Sequence, residues 1–328
     1  MPQQSNKSLS KKENTHSGVR HVRIGPDADG QRIDNFLASE LPGVPKGRIY
    51  RMLRKGEVRI NKGRVRPTSR VHEGDDVRIP PVSLEVREQP AVPRGLQAQL
   101  EAAVLFEDRD LLVIDKPAGV AVHGGSGVSL GCVEALRGMR DDWQELGLAH
   151  RLDRETSGVL VLAKRRSALR RLHAAFREDR VSKVYEALVD RHWDHGNMTI
   201  DAPLQVHTRR GGERHVTVDA GGKPSVTEVQ RVDSCRDASL MVARPLTGRT
   251  HQIRVHLQHM GHPIVGDARY GDPERNDWHA KRGLKRLFLH AQSIAFDFGD
   301  GNERLFTAPL PEALNAYAQR LFRPGGKR

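Results

Sequence analysis

The chain has 328 residues, and its 54 Lys and Arg residues outnumber 41 Asp and Glu residues to give a formal charge of +13. This length allows two domains, and the charge favours a polyanionic partner, most commonly a nucleic acid. Two cysteines, Cys132 and Cys235, are too few for a disulfide framework or a thiolate zinc site. No apolar run approaches the about 20 residues of a membrane-spanning helix, and the N-terminal residues lack the apolar region of a secretory signal. We therefore expect a cytoplasmic protein with two buried, inert thiols and no membrane association.

The N-terminal part of the chain has the pattern of a small domain. Residues 1–18 are mostly polar and are predicted to form a disordered tail. Residues 31–41 and 46–54 carry apolar side chains at helical spacing, and alternating strand patterns follow as far as Ile79. Two short helices and a hairpin-rich piece are too small for a complete enzyme, so we assign residues 19–80 to a separate domain.

The charge of this small domain is uneven. Between Lys46 and Arg70 there are ten Lys or Arg residues and one acid, Glu57. A solvated helix face normally mixes both signs, so this density favours a phosphate-binding surface over a merely basic domain. The predicted phosphate contacts lie on the second helix: Lys46, Arg48, Arg51, Arg54 and Lys55.

The next segment is interpreted as an interdomain linker over residues 81–99, because prolines punctuate it and it has no apolar period. From residue 100 to 325, strand and helix patterns are mixed without strict βαβ order, which predicts an α+β domain with a largely antiparallel sheet. Strands are predicted at 104–106, 111–114, 159–163, 184–189, 216–218, 225–232, 240–243 and 287–288, and helices at 130–138, 166–178, 250–260 and 311–321.

A polar stretch from His150 to Gly158 leads directly into an apolar run. The run is β-branched and leucine-rich, as is typical of a buried strand, so the polar residues form a loop held against the core. Asp153 lies in this loop between Arg151 and Arg154. Neighbouring cations keep a carboxylate ionised at neutral pH, as a nucleophile or charge stabiliser must be. A solvated turn whose charges pair with one another is the alternative.

Several blocks of the sequence resemble those of the RluA-type pseudouridine synthases. His150-Arg151-Leu152-Asp153-x-x-Thr156-Ser157-Gly158 resembles the family signature, and Arg32–Leu37 resembles the opening of an S4 RNA-binding domain. Further similar blocks follow the family's order: Leu111–Gly119, Lys183–Tyr185, Thr247–His256, Gly261–Gly271 and Leu287–Ala291. The resemblance spans about residues 30–320, and several blocks in register are far more specific than one.

The resemblance implies an S4-like RNA-binding domain followed by a pseudouridine synthase catalytic domain. The S4-like part and the glycine-rich loop 123–127 favour the branch that modifies large-subunit (23S) ribosomal RNA. In that reaction the N1–C1′ bond breaks, the uracil turns, and C5 joins C1′, after the target base has left its stack. The reaction involves no redox change and no phosphate energy, so we expect no cofactor and no metal. The expected partner is ribosomal RNA, and the protein is expected to be a monomer.

The resemblance also assigns roles to residues. Asp153 is the catalytic carboxylate, either bonding to C1′ or removing a sugar proton. Tyr185 packs against the target uracil and places an oxygen near C5, although it could be an ordinary strand aromatic. Arg254 pairs with the catalytic Asp, the alternative being a phosphate contact. Arg151 fills the space that the flipped base leaves, or contacts phosphate. The remaining predicted substrate contacts are His150, Lys116 and Arg249.

Other interpretations remain open at this point. Asp153 and Glu155, two residues apart, could form a hydrolase pair or a metal site. His251, His256, His259 and His262 are crowded, but their spacing does not match a known zinc motif. A non-catalytic S4-type RNA-binding or ribosome-assembly factor has no need of Asp153, Tyr185 and Arg254 together. Residues 207–223 are either an RNA-gripping hairpin or an exposed loop.

Overall fold

The computed structural model describes residues 18–41, 44–82, 91–124, 130–208 and 214–322. It contains two compact units, Met1–Gln89 and Pro90–Arg328. The predicted tail, apart from Gly18, lies outside the described residues, as do the middle of the predicted linker and part of the glycine-rich loop.

The first unit contains two helices and a four-stranded antiparallel sheet. Its elements are β1 (Arg20–Arg23), α1 (Ile33–Glu40), α2 (Lys46–Lys55), β2 (Arg59–Ile60), β3 (Gly63–Arg64) and β4 (Asp76–Ile79), and the strand order is β1-β4-β2-β3. Both helices lie where helical spacing predicted them, because their apolar faces supply Phe36, Leu37, Met52 and Leu53 to one core. Gly56 ends α2 in the left-handed conformation.

The second unit is larger, with six α-helices and twelve strands among its described residues. The helices are α3 (Arg94–Ala102), α4 (Cys132–Met139), α5 (Arg166–Arg177), α6 (Gln252–His259), α7 (Pro273–Lys281) and α8 (Glu312–Phe322). The strands are β5 (Val104–Glu107), β6 (Leu111–Lys116), β7 (Gly147–Leu148), β8 (Ser157–Ala163), β9 (Val181–Asp190), β10 (Met198–Asp201), β11 (Leu204–Thr208), β12 (Arg214–Val218), β13 (Val226–Ser234), β14 (Ala238–Pro245), β15 (Leu289–Asp297) and β16 (Glu303–Thr307).

Ten of these strands form one sheet, in the order β10-β13-β14-β9-β15-β8-β6-β5, with β16 beside β15 and β7 beside β8. Every pairing is antiparallel except that of β8 with β15. The predicted α+β class with a largely antiparallel sheet is therefore confirmed. β11 and β12 form a separate antiparallel hairpin, so the ends of the 207–223 segment are strands. Its tip, 209–213, lies outside the described residues.

The packing of strand β8 explains why the polar stretch from His150 ends in Gly158. All seven residues of β8 are buried, which suits an apolar run without polar alternation. Gly158 has a φ of +115°, and a β carbon there would overlap the backbone of Ala291 in β15. Only glycine permits this conformation and this close approach. The parallel pairing of β8 with β15 therefore depends on Gly158.

The predicted linker is shorter than residues 81–99. Residues 94–99 belong to α3, whose Leu100 is fully buried against a cluster that includes Leu136 of α4. Leu96 and Leu100 are one helical turn apart, a signal that the surrounding prolines obscured. The sequence also did not predict strands β7, β10, β11 and β16 or helix α7, and the strand expected at 287–288 begins instead at Leu289.

The two cysteines differ in their surroundings. Burial raises the pKa of Cys132 to about 11, so this thiol is unreactive as expected. Cys235 is half-buried rather than buried, which corrects the expectation for that residue. No helix in the described ranges is long and apolar enough to cross a membrane.

Candidate active site

Asp153 lies in the loop from β7 to β8, and hydrogen bonds fix this loop on both sides of it. Before Asp153, the Nε2 atom of His150 accepts a hydrogen bond from the backbone N–H of Val161, at 3.0 Å. After Asp153, the backbone carbonyl of Arg154 accepts from the ammonium group of Lys116, at 3.1 Å. The carboxylate is therefore carried by a loop that has little freedom to move.

His150 supports this loop as a neutral ring. Burial, reinforced by the charge of Lys183, lowers the pKa of His150 to about 3. A neutral ring can accept through Nε2 while Nδ1 carries the proton. The ring also stacks on Phe176, with 5.5 Å between centroids. His150 lines a cavity beside Asp153, but these contacts make it a positioning residue first.

Lys116 is fully buried, and its ammonium group is engaged by the protein. It donates to the backbone carbonyls of Pro117, Val120 and Arg154 at 2.8, 2.9 and 3.1 Å. Burial lowers its pKa to about 8. The prediction that Lys116 contacts substrate is not supported, because its three donors all point to the loops around Asp153.

The predicted partners Asp153 and Arg254 are in contact. Nη1 of Arg254, in the first turn of α6, donates to Oδ2 of Asp153 at 2.9 Å. Its Nε and Nη2 atoms donate to the two carboxylate oxygens of Asp267, at 2.7 and 2.8 Å. One guanidinium thus joins two carboxylates, of which Asp153 is 27% exposed and Asp267 is completely buried.

The charges of this group reinforce one another. Burial opposes the charge of Arg254, but hydrogen bonds and attraction from Asp267 and Asp153 raise its pKa above the ordinary value. Burial would likewise raise the pKa of Asp267, yet the contacts with Arg254 hold it below the ordinary value. Asp267 therefore fixes the direction of a permanent cation, and that cation faces Asp153.

His251 is a second group that faces Asp153. Its Nε2 atom is 4.0 Å from Oδ1 of Asp153, and its Nδ1 atom is 2.7 Å from the hydroxyl of Tyr270. Burial lowers the pKa of His251 to about 4, so the ring is neutral near pH 7. The sequence indicated His251 as one member of a crowded group of histidines and as part of the similar block Thr247–His256, but neither assigned it a role.

Two cavities meet at Asp153. The smaller has a volume of about 730 Å³, and its walls include Phe176, Tyr185 and Leu289. The larger has a volume of about 1050 Å³ and is rich in cations, including Arg151, Arg154, Arg214, Arg249, Lys285 and Arg286. Asp153, His251 and Arg254 line both cavities. The carboxylate can therefore act on a group that lies between a partly apolar chamber and a basic one.

Tyr185 lies in the wall of the smaller cavity. It belongs to β9 and pairs with Ala243 of β14 and Ala291 of β15, whose small side chains leave space for its ring. Burial, together with the charge of Asp153, raises the pKa of Tyr185 above its ordinary value. Its hydroxyl therefore stays protonated, which favours a stacking face over a phenolate base.

The two predicted arginine contacts lie at the cavities and are exposed. Arg151 lines both and makes no hydrogen bond or ion pair with any residue in the described part of the chain. Arg249 also lines both, and its Nε atom donates to the carbonyl of Pro224 at 3.1 Å. With respect to the described residues, the guanidinium of Arg151 thus keeps all its donors free, whereas that of Arg249 keeps only part of them free.

The predicted RNA contacts of the first unit share one helix. In α2, the buried side chains Ile49, Met52 and Leu53 face the core. The predicted cations are all exposed: Lys46, Arg48, Arg51, Arg54 and Lys55. One side of α2 is therefore a solvent-facing basic surface.

The carboxylate and histidine alternatives are not supported by the geometry. Glu155 is exposed, and its Oε1 atom lies 3.4 Å from Nε of Arg154. The carboxylate that shares a cation with Asp153 is that of Asp267. His256 uses both ring nitrogens, on the hydroxyl of Thr227 and a backbone carbonyl. The four crowded histidines therefore do not converge on one site.

A different group of side chains could hold a metal ion. Within the described ranges, Asp194, His195 and His262 place ligand atoms within 4.8 Å of one another. None of the three lines a cavity at Asp153. A metal bound there would not touch the groups that face Asp153.

Asp267 and Tyr270, like His251, were not predicted as site residues. The block Gly266-Asp267-x-x-Tyr270 belongs to the resemblance, but no role followed from it. A carboxylate that follows the apolar residues Ile264 and Val265 after a single glycine is the signal that could have identified a buried acid in need of a cationic partner.

The fold and the site together define a class of protein. A basic N-terminal unit accompanies a mixed-sheet unit whose carboxylate lies between a partly apolar and a basic cavity. This combination is that of an enzyme that acts on nucleic acid. Family models agree: RNA pseudouridylate synthase matches residues 110–259, and the S4 domain matches residues 31–77.

Similar proteins identify the family. "Ribosomal large subunit pseudouridine synthase C" of Escherichia coli strain K12 is 50% identical over 308 residues, covering 92% of this chain and 97% of that protein. The protein of the same name from Haemophilus influenzae is 47% identical over 309 residues, covering 93% and 96%. "Human RNA Pseudouridylate Synthase Domain Containing 4" has a similar structure, with a TM-score of 0.58 and 27% identity over 69% of this chain and 95% of that one.

The chain belongs to the RNA pseudouridylate synthase family and has an S4 domain in its N-terminal part. It is an enzyme that isomerises uridine in RNA, and the resemblance inferred from its motifs is confirmed. This excludes the alternative of a non-catalytic binding factor.

Proposed function

We propose that this enzyme converts specific uridines of 23S ribosomal RNA to pseudouridine, with Asp153 as the catalytic carboxylate. The observation that carries the proposal is the contact of Asp153 with Arg254, whose direction the buried Asp267 fixes. The substrate class is supported by the names of relatives about 50% identical, which act on the large ribosomal subunit.

The two cavities suit the two parts of a flipped nucleotide. The uracil occupies the smaller cavity, where the flat face of Tyr185 stacks on it and Leu289 closes a further wall. The neighbouring phosphates lie in the larger cavity among its cations. This arrangement places C1′ of the sugar at the junction, beside Asp153.

The reaction is an isomerisation, so its atoms and electrons balance within the nucleotide. The N1–C1′ bond breaks, the C5–C1′ bond forms, and the C5 proton is lost while N1 regains one. Asp153 meets the positive charge that develops at C1′, as a carboxylate does in glycoside hydrolysis. Arg254 keeps this carboxylate aimed at the sugar. The protonated Tyr185 holds the base while it turns.

The remaining roles follow from position. Arg151, exposed and without a partner in the described part of the chain, enters the RNA where the flipped base was stacked. Arg249 contacts phosphate. The S4 domain supplies affinity through the cations of α2, because each phosphate contact releases counterions. One chain supplies all the residues around Asp153, which supports a monomer. An isomerisation without redox change needs no cofactor, and a ribosomal RNA substrate supports a cytoplasmic location.

Mapping pseudouridines in ribosomal RNA tests this proposal. We expect a small set of 23S sites to lose the modification in cells without the protein. Wild-type protein should restore these sites, and an Asp153→Asn variant expressed at the same level should not. Restoration by Asp153→Asn would refute the role of Asp153, and an unchanged map in the deletion would refute the substrate.

A further inference from the structure

Tyr270 joins three parts of the site that come from separate stretches of the chain. Its hydroxyl is 2.7 Å from Nδ1 of His251, and it accepts a hydrogen bond from the backbone N–H of Val216 at 3.1 Å. Its ring lies 5.0 Å from the guanidinium carbon of Arg254. The pairing of Asp153 with Arg254 requires neither of the two hydrogen bonds.

The hydrogen bonds of Tyr270 favour a proton on Nε2 of His251. The phenol oxygen already accepts from Val216, so its own hydrogen is free to be donated to Nδ1 of His251. When the phenol donates to Nδ1, the single proton of the buried, neutral ring of His251 lies on Nε2. That N–H is 4.0 Å from Oδ1 of Asp153, the oxygen that Arg254 leaves free.

The backbone of His251 indicates that its position is imposed. His251 is the N-cap residue of α6 and has a φ of +54°, in the left-handed region that residues other than glycine rarely adopt. Such strain persists only where the surroundings enforce it, and it clusters at functional sites.

The far end of this chain of contacts is the β11–β12 hairpin. Val216 and Leu204 from the hairpin pack with Tyr270 and with Val255 of α6 in one small apolar cluster. The hairpin also supplies Arg214 to the basic cavity. A displacement of the hairpin therefore moves the hydroxyl of Tyr270, because a buried contact and a hydrogen bond link the two.

We propose that Tyr270 and His251 are positioning residues, forming a hydrogen-bond relay from the β11–β12 hairpin to the free oxygen of Asp153. A shift of about 1 Å would bring Nε2 of His251 to hydrogen-bond distance from that oxygen. The carboxylate would then be held by Arg254 on one oxygen and by His251 on the other. This inference rests on the proposed catalytic role of Asp153.

Tyr270→Phe tests the relay, because it removes the hydroxyl and keeps the ring. We expect its single-turnover rate at saturating RNA to fall about tenfold while the RNA dissociation constant stays unchanged, the scale of one lost hydrogen bond. Tyr317→Phe is the matched control, since the Tyr317 hydroxyl bonds the buried His279 at 2.6 Å and neither residue lines a cavity at Asp153. Equal rates in the two variants would overturn the relay.

A double-mutant cycle separates a relay from independent structural effects. Asn tolerates the left-handed backbone, so His251→Asn should fold and should lose about the same factor as Tyr270→Phe. The double variant should be no slower than either single variant. Additive losses would overturn the proposal, as would a failure of Tyr270→Phe to change the nitrogen-15 shifts that report the His251 tautomer.

Asp153→Asn in the same assay distinguishes the two proposals. If Asp153→Asn is inactive while Tyr270→Phe is normal, the relay alone fails. If Asp153→Asn isomerises uridine, the proposed catalytic role of Asp153 fails, and the relay that rests on this role fails with it. Matching thermal unfolding midpoints for all variants would show that each is folded.

Discussion

Arg254 donates hydrogen bonds to the carboxylates of Asp153 and Asp267, which differ in burial. This difference determines which substitution can test the role of Arg254. Removing the guanidinium leaves Asp267 buried without its partner, which typically costs about 3–5 kcal/mol of folding stability. Arg254→Met therefore confuses lost catalysis with lost folding. A substitution that keeps the positive charge is the better probe.

We expect Arg254→Lys to bind target RNA normally and to isomerise it about 100-fold more slowly in a single turnover, the scale of losing a preorganised electrostatic contact. One ammonium group cannot reproduce the fork that joins Asp153 to Asp267. Arg249→Met is the control: an exposed phosphate contact should weaken binding and reduce the salt slope by about one unit, with turnover preserved at saturation. A normal single-turnover rate in Arg254→Lys would refute its pairing role.

Lys116 should contribute a distinct pH dependence to stability. Its pKa in the folded protein is about 8, below the ordinary 10.5, because burial disfavours the charge. Between these values the unfolded chain binds more protons than the folded one, so this group makes stability rise with pH.

Lys116→Met should abolish that rise. The wild-type free energy of unfolding should increase relative to the variant between pH 8 and 10.5, by up to about 1.4 kcal/mol per pH unit. Urea unfolding at several pH values measures the difference, and the exposed Lys281→Met serves as the control. Parallel curves for wild type and Lys116→Met would contradict the burial of this ammonium group.

At the scale of elements, helix α2 combines an apolar face in the core of its unit with a cationic face in solvent. The exposed cations are not needed for the packing of the helix. Affinity for RNA and stability of the domain are therefore separable in this element.

We expect replacement of Lys46, Arg51 and Lys55 by Ser to weaken RNA binding and to reduce the slope of log affinity against log salt by about three units if each contacts a phosphate. The single-turnover rate at saturating RNA should not change. Arg236→Ser with Lys281→Ser removes exposed cations that line neither cavity. An equal loss of affinity in that control would mean that general charge, rather than α2, binds the RNA.

At the scale of the whole molecule, each of the two units has a hydrophobic core of its own. Removal of residues 1–89 should leave the second unit folded and the groups around Asp153 complete. We expect this truncated enzyme to bind RNA more weakly, with a flatter salt dependence, and to react slowly with concentrated RNA fragments. Unchanged affinity with the full salt slope would show that the S4 domain does not supply the binding energy.

The proposed chemistry also predicts insensitivity to chelators. None of Asp194, His195 and His262 lines a cavity at Asp153, so excess EDTA should leave the isomerisation rate unchanged. The RNA fold must be shown intact in the same buffer. A loss of activity that zinc restores would contradict the metal-free assignment.

The sequence alone determined the local and repetitive features of this protein. Apolar spacing located α1, α2, α5 and α8, because a helix that packs against a core must repeat its apolar residues every turn. The uninterrupted apolar run of β8 predicted a strand buried on both faces. The motifs around Asp153 indicated the chemistry and identified Arg254 as the partner of Asp153, because the resemblance that they carry depends only on residue types and their order.

Which distant residues share a site depends on the tertiary structure. The fold brings α6 and the following loop against the Asp153 loop. This proximity gives a role in the site to Asp267, His251 and Tyr270. Lys116 was predicted to contact the substrate, but the fold buries it, and its ammonium group supports the loops around Asp153 instead. Burial and hydrogen-bond partners depend on residues far apart in the chain, and neither periodicity nor composition encodes that proximity.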